Sequence, residues 1–372
     1  MLIDYFICNL LIFFCCCKIV EQCIFYDKEA IVKLVVSDES CSDKVPVVVP
    51  IVGMGGIGKT TLAQLVFNDQ RVENHFQIRV WVTISDEFDV FNITKQIFKG
   101  VTSKEFKSKE ISKLQLKLSK ELEGKKFLLV LDDVWNDNYH LWDELRRPFT
   151  SGASGSKIII TAHSSMFTST MSKVEAHCLG MLSDDSCWKL FIQHALENED
   201  LLSAHPDLRK IGEGIVKMCK GLPLAVKSVA ALLRSFSPLD EWRKILENAI
   251  WNSEEDAMQH FLPFLSLSYH YLSPQLKRCF AYCSKLPQDY GFTEKEAILL
   301  WMAEGLLQTK EGTRMKDVGE EYFRILTSRS LFQQLATPDP RFFMHDLVHD
   351  FVQGHFSLQE NAKKHNRIRC RL

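Results

Sequence analysis

Gly53-Met54-Gly55-Gly56-Ile57-Gly58-Lys59-Thr60-Thr61 fits the pattern G-x-x-x-x-G-K-[ST]. It lies between an apolar run (Val47, Val48, Val49, Ile51, Val52) and a helix-like segment (Leu62, Ala63, Leu65, Val66). A strand must therefore run straight into a glycine-rich turn that opens a helix. Glycines let backbone N–H groups turn inward around phosphate oxygens, where a Cβ would obstruct the approach. Lys59 is expected to reach the β- and γ-phosphates and the Thr60 hydroxyl to ligate Mg²⁺, while the helix N-terminus adds its partial positive charge. All nine residues, Gly53 through Thr61, are thus candidates for holding a nucleotide phosphate.

A chain of 372 residues is long for one hydrophobic core, so two to four domains are expected. A formal charge of −2 gives no general pull toward nucleic acid, and 46% hydrophobic with 25% charged residues fits a soluble globular body. The twelve cysteines are irregularly spaced with no C-x-x-C pair, which argues against a disulfide framework. Cys279 and Cys283, four apart in an expected helix, read as core thiols before half of a zinc site. Residues 1–26 differ from the rest: Tyr5 to Cys17 is apolar except for Asn9, and Cys8, Cys15, Cys16, Cys17 and Cys23 crowd into the segment. The run is short for a membrane span, and Asp4 with no early Lys or Arg argues against a secretory signal. A short anchor with acylatable cysteines, a buried helix and a wrongly assigned first exon are the competing readings, the last preferred.

Residues 27–44 are mixed and polar and read as a linker. From Val45 strand and helix signals alternate, which predicts an α/β domain with a parallel sheet over 45–182. Strand candidates are Val47–Val52, Ile78–Ile84, Phe127–Leu131, Lys157–Thr161 and Ala176–Leu179, with Ile111, Leu114, Leu118 and Leu122 at helical spacing between them. After residue 183 the strand signals nearly vanish, and a helical subdomain is expected over 183–257. Trp188, Phe191 and Ala195 mark one helix; Leu208, Ile211, Ile215 and Met218 mark another; Pro223 to Leu233 forms a third that starts on its proline. Ser273-Pro274 opens a further helix, and Thr293-Glu294-Lys295-Glu296 is a capping box. Leu331–Leu335 and Arg341–Met344 flank Thr337-Pro338-Asp339-Pro340 as a short hairpin, so 258–354 has the outline of a winged helix, followed by a basic tail at 355–372.

A phosphate loop needs an acidic partner for its metal, and Phe127-Leu128-Leu129-Val130-Leu131-Asp132-Asp133 supplies two carboxylates at the end of an apolar strand. Asp132 is the candidate for Mg²⁺ together with Thr60, and Asp133 for orienting or deprotonating the attacking water, with Lys59 as its catalytic companion. A strand end followed by an acidic turn is the plainer reading, and the intact loop upstream favours the functional one.

Gly55-Gly56-Ile57-Gly58-Lys59-Thr60-Thr61-Leu62-Ala63, Leu131-Asp132-Asp133-Val134-Trp135, Gly155-Ser156-Lys157-Ile158-Ile159, Gly221-Leu222-Pro223-Leu224-Ala225 and Met344-His345-Asp346 occur in this order. Together they resemble the nucleotide-binding (NB-ARC) module of plant NLR disease-resistance receptors, over about residues 27–354. Trp135 resembles the coiled-coil-bearing branch. The resemblance implies a P-loop NTPase fold followed by a helical and a winged-helix subdomain, with ADP or ATP and Mg²⁺ as ligands and a cytoplasmic location. It also implies that Pro223 packs against adenine and that His345 contacts the β-phosphate of ADP, locking a closed state. Relatives usually carry Thr-Thr-Arg where this chain has Thr161-Ala162-His163. His163 takes the place of the arginine that senses the γ-phosphate, and an imidazole lacks the guanidinium fork. Neither a recognisable coiled-coil domain nor a leucine-rich repeat array is found.

The leading expectation is a nucleotide-dependent switch with at most a slow Mg-dependent ATPase. One alternative is a P-loop ATPase or kinase with a small substrate, although no substrate-clamping cluster appears after residue 183. Another is a truncated, non-switching partner of full-length receptors. Self-association is a further expectation, no nucleic acid is expected, and membrane contact would come only through residues 1–26.

Overall fold

The computed structural model describes residues 24–353, apart from 38–44, 85–87, 136–137, 164–170, 173, 197–205, 235–237, 248–261, 289, 309–312 and 336–339. The basic tail, the turn at 337–339 and all but the last three residues of the hydrophobic segment 1–26 therefore lie outside the described residues. The described chain forms two compact units, one up to Gly180 and one from Met181 onward.

The first unit is built on a parallel sheet of five strands, β1 (Val47–Val52), β2 (Ile78–Thr83), β3 (Phe127–Val134), β4 (Lys157–Ala162) and β5 (His177–Cys178), in the order β2-β3-β4-β1-β5. The central strands β1, β3 and β4 are buried almost throughout, which is why they read as unbroken apolar runs. On one face Val80, Leu129, Leu131, Ile158 and Ile160 pack with Ile93, Ile97, Leu114, Leu118, Leu122 and Trp142 of the helices Val90–Thr102, Ile111–Leu122 and Tyr139–Arg146. The helix Lys59–Phe67 packs against β1, β3 and β4.

Pro50 stands in the middle of β1, where a proline normally breaks a ladder. The N–H groups of Val47 and Gly53 donate across to β4, to Ser156 O and Ala162 O, so odd-numbered residues face that strand. Pro50 faces the other side, where β5 pairs only with Ile51 and Val52. The missing donor thus falls where no strand requires it.

Two sequence expectations change. The stretch 27–44 is not simply a linker: Phe25–Val36 is a helix with Ile31, Val32 and Val35 fully buried, packed against β1 and the helices Lys59–Phe67 and Gln70–His75. Its apolar residues Ala30, Ile31, Val32, Leu34, Val35 and Val36 crowd into one short run broken only by Lys33, so they show no helical periodicity. The fifth strand is also shorter than Ala176–Leu179, keeping only His177 and Cys178 beside the end of β1.

The second unit contains the helices Asp184–Ala195, Pro206–Met218, Pro223–Arg234, Pro238–Leu246, Leu262–His270, Pro274–Cys283, Glu294–Ala303 and Met315–Ser328, a hairpin of β6 (Gln333–Leu335) and β7 (Arg341–Phe343), and a helical turn pair at 346–353. Its starts follow local chemistry. Ser273 accepts from Leu276 N–H ahead of Pro274, and Thr293 and Glu296 make the reciprocal capping box. Phe280, Phe292, Phe323, Phe332 and Phe342 form one aromatic core, with ring centroids as close as 4.8 Å between Phe323 and Phe342. Cys279 and Cys283 lie in this core as buried thiols, each pushed up to about 12 by burial. Among the described residues no helix is long and apolar enough to cross a membrane.

Gly221 ends the turn before Pro223 at φ +77°, and a Cβ there would lie 2.7 Å from Leu182 O. Both the left-handed backbone and the close carbonyl require glycine. Gly221→Ala is expected to destabilise the second unit by more than about 1 kcal/mol, read as a lower midpoint in urea denaturation.

Candidate nucleotide-binding site

The site is assembled at the carboxyl ends of β1, β3 and β4, the edge of an open parallel sheet where ligands settle. Gly58, at φ 108°, precedes the helix Lys59–Phe67, which has no side-chain cap and no acidic residue in its first turn. The positive end of that helix is therefore not neutralised by its own sequence, and a Cβ at Gly58 would meet no atom within 4 Å. Lys59 is only 6% exposed, and its Nζ donates to Gly53 O at 3.0 Å and Met54 O at 3.1 Å. These neutral carbonyls are weaker partners for an ammonium than a charged oxygen would be.

The acidic strand end meets the loop directly. Thr60 Oγ1 donates to Asp132 Oδ1 at 3.0 Å, and Thr161 Oγ1 donates to the same oxygen at 2.5 Å. Asp132 is 4% exposed, and burial pushes its carboxyl up to about 6 against the opposing pull of the Thr161 and Thr60 hydroxyls. Asp133 adopts a left-handed backbone, φ 60°, and its N–H donates to Thr161 Oγ1 at 2.8 Å. His163 Nε2 lies 3.5 Å from Asp133 Oδ1, and its ring stacks on Trp135 with centroids 4.2 Å apart. Gly53 to Thr61, Asp132, Asp133 and His163 are thus neighbours in one unit.

Pro223 and His345 belong to the second unit. Pro223 is buried at the first position of its helix, directly after the Gly221 turn. His345 starts the 346–353 helix: its carbonyl accepts from Val348 and His349 N–H, and its Nδ1 accepts from Leu347 N–H at 3.3 Å. With Nδ1 as acceptor, the neutral ring carries its hydrogen on Nε2. His349 Nε2 donates to Leu286 O at 3.2 Å, and Gln353 Nε2 donates to Ser284 O at 2.9 Å, fastening this helix to the loop after Pro274–Cys283.

Sequence reading missed Thr161 as a partner of the Asp132 carboxylate and of the Asp133 backbone N–H. The available signal was a single hydroxyl in the otherwise apolar end of β4. It also missed Trp135 as the ring against which His163 rests.

The raised Asp132 carboxyl has a consequence for stability. An unfolded aspartate ionises near 3.8, so the folded state binds the extra proton between that value and about 6. Its stabilising contribution is complete below the lower value and lost as pH rises through the upper one. Asp132→Asn keeps an oxygen to accept both hydroxyls and removes the buried charge. In EDTA, the stability of Asp132→Asn relative to wild type is expected to increase from pH 4 to 6 and then level off, by up to about 3 kcal/mol. A difference independent of pH in denaturation titrations would contradict a buried carboxylate held at a cost.

Two family models match the chain, the NB-ARC domain over residues 26–201 and the disease resistance protein winged helix domain over residues 286–352. The first begins within the Phe25–Val36 helix and so includes the stretch that had read as a linker. Putative disease resistance RPP13-like protein 1 of Arabidopsis thaliana is 43% identical over 337 residues, covering 89% of this chain and 31% of that protein. Disease resistance protein RGA2 of Solanum bulbocastanum is 39% identical over 339 residues, covering 90% of this chain and 34% of that protein. The chain thus spans about a third of the length of these relatives. Among solved structures, a signal transduction ATPase with numerous domains and a tetratricopeptide repeat sensor, from Pyrococcus horikoshii, shares the fold at TM-score 0.53 and 16% identity, covering 87% of this chain and 41% of that one. The chain carries an NB-ARC domain, which implies nucleotide binding, followed by a disease-resistance winged helix domain.

Proposed function

We propose that this chain is an adenine-nucleotide switch in which bound ADP favours a closed form and exchange for ATP releases it. The observation that carries the reading is the 3.0 Å hydrogen bond from Thr60 to Asp132, because it brings the phosphate loop and the acidic strand end to one point. Gly53 to Thr61 would cradle the phosphates, and Lys59 would exchange its two carbonyl partners for phosphate oxygens. Thr60 and Asp132 offer convergent, hard oxygen donors, which suit Mg²⁺. When bound, that ion would neutralise charge between the phosphates. Pro223 would pack against adenine, and His345, with its hydrogen on Nε2, would donate to the β-phosphate. A nucleotide shifts such an equilibrium only by its differential affinity for the two forms, and His345 supplies that difference for ADP.

Asp133 would orient the attacking water, and its neighbour is an imidazole rather than a guanidinium. His163 supports a site that retains ADP and turns ATP over slowly. The likeness to disease resistance proteins of Arabidopsis thaliana and Solanum bulbocastanum supports a part in plant defence. A cytoplasmic location and self-association or pairing with full-length receptors belong to the same proposal.

Lys59→Arg is expected to lose at least about tenfold in ADP affinity by calorimetry, because a planar fork cannot replace a compact ammonium in the loop. Equal affinity would remove the loop from the site. His345→Ala is expected to speed release of a fluorescent ADP and leave its capture by the loop intact. Rapid multiple turnover of ATP by the wild-type chain would favour an enzyme over a switch.

A further inference from the structure

β3 and β4 run in register from Leu128 opposite Lys157 to Leu131 opposite Ile160, and then resume with Val134 opposite Ala162. Three steps along β3 therefore match two along β4, which places one extra residue at Asp132–Asp133. Bulges are rare between parallel strands, and each leaves ladder groups that must find other partners. The left-handed backbone of Asp133 belongs to this bulge.

Thr161 takes up what the bulge displaces. It is fully buried; its Oγ1 accepts the Asp133 N–H at 2.8 Å and donates to Asp132 Oδ1 at 2.5 Å. An amide can only donate and an ionised carboxylate can only accept, so the direction of this relay is set. Thr60 donates to the same Oδ1 from the other side at 3.0 Å. Two hydroxyl donors on one oxygen fix the rotation of the Asp132 carboxylate. They also leave Thr60 its oxygen lone pairs for a metal, since its hydrogen is already given to Asp132.

We propose that Thr161 is a positioning residue for Mg²⁺: by holding the bulge through its hydroxyl it aims Asp132 at the ion accompanying a bound nucleotide. This rests on the reading of Thr60 and Asp132 as the metal-facing pair. The hydroxyl, not the shape of the side chain, carries the role, because valine fills the same volume without making either hydrogen bond.

The test compares the full chain as wild type, Thr161→Val and Thr161→Ser, using fluorescent ADP titrated with Mg²⁺ and, separately, in EDTA. Partners that orient a ligand typically change metal affinity by about 10- to 100-fold, so the Mg²⁺ midpoint of Thr161→Val is expected to move by that factor. Its affinity in EDTA should stay within about threefold of wild type, and Thr161→Ser should keep the wild-type Mg²⁺ midpoint. Hydrogen exchange over residues 128–135 should quicken in Thr161→Val and not in Thr161→Ser. A wild-type Mg²⁺ midpoint in Thr161→Val overturns the role of Thr161 and leaves the nucleotide site standing. If the valine variant does not fold, a shifted Mg²⁺ midpoint in the serine variant overturns it equally. Wild-type protein that binds no ADP overturns the functional reading itself, and this inference with it.

Discussion

A buried carboxylate is the group that the first unit must accommodate. Asp132 lies near the end of a strand buried on both faces, and removing an ionised carboxylate from water is costly unless hydrogen bonds and opposite charge replace the solvent. Each nearby feature answers that cost in part. β1 pairs with β4 through six residues, so the loop that follows β1 opens beside β3's acidic end and brings Thr60 to Asp132. β4 contributes Thr161. Lys59 lies close enough to favour the charged form, though burial still prevails. The site is polar where the sheet is most apolar, and it is suited to a ligand that brings positive charge of its own.

Much of this arrangement was legible in the residues. Strands buried on both faces leave continuous apolar runs, so β1, β3 and β4 could be placed, and the glycine pattern located the loop between β1 and its helix. What stayed hidden depends on register. An extra residue in β3 leaves no mark in a run such as Leu-Val-Leu-Asp-Asp, so the partnership of Thr161 with both aspartates could not be read from spacing. The Phe25–Val36 helix was hidden for another reason: its apolar residues fall in one short run at 30–36, which lacks helical spacing, and a polar stretch follows from Ser37.

In the second unit, local chemistry was the readable part. Ser273 with Pro274 and the Thr293–Glu296 box mark helix starts by residue type alone. The aromatic core was not readable, because its members are scattered from Phe280 to Phe342 and meet only when the hairpin folds back: Phe342 exchanges both backbone hydrogen bonds with Phe292. His345 can start a helix and still make the ligand contact proposed for it. The ring nitrogen that starts the last helix is not the one that would face a phosphate.

The helix at Phe25–Val36 is held in two ways. Its middle is fixed by the fully buried Ile31, Val32 and Val35. Its charged side is held by Arg71, which donates to Glu29 at 2.6 and 2.9 Å and to Asp69 at 2.9 and 3.0 Å, by Lys28 at 3.4 Å from Asp69, and by His177 at 2.8 Å from Asp27. Arg71 holds the Asp69 carboxyl down at about 2, so this carboxylate stays charged well into the acid range. Partly exposed ion pairs add little stability, but several converging on one side chain restrict how a helix can turn. The helix is thus held in orientation as well as in position. These ion pairs therefore fix how Phe25–Val36 is turned against Asp69, just past the end of the helix whose first residue is Lys59.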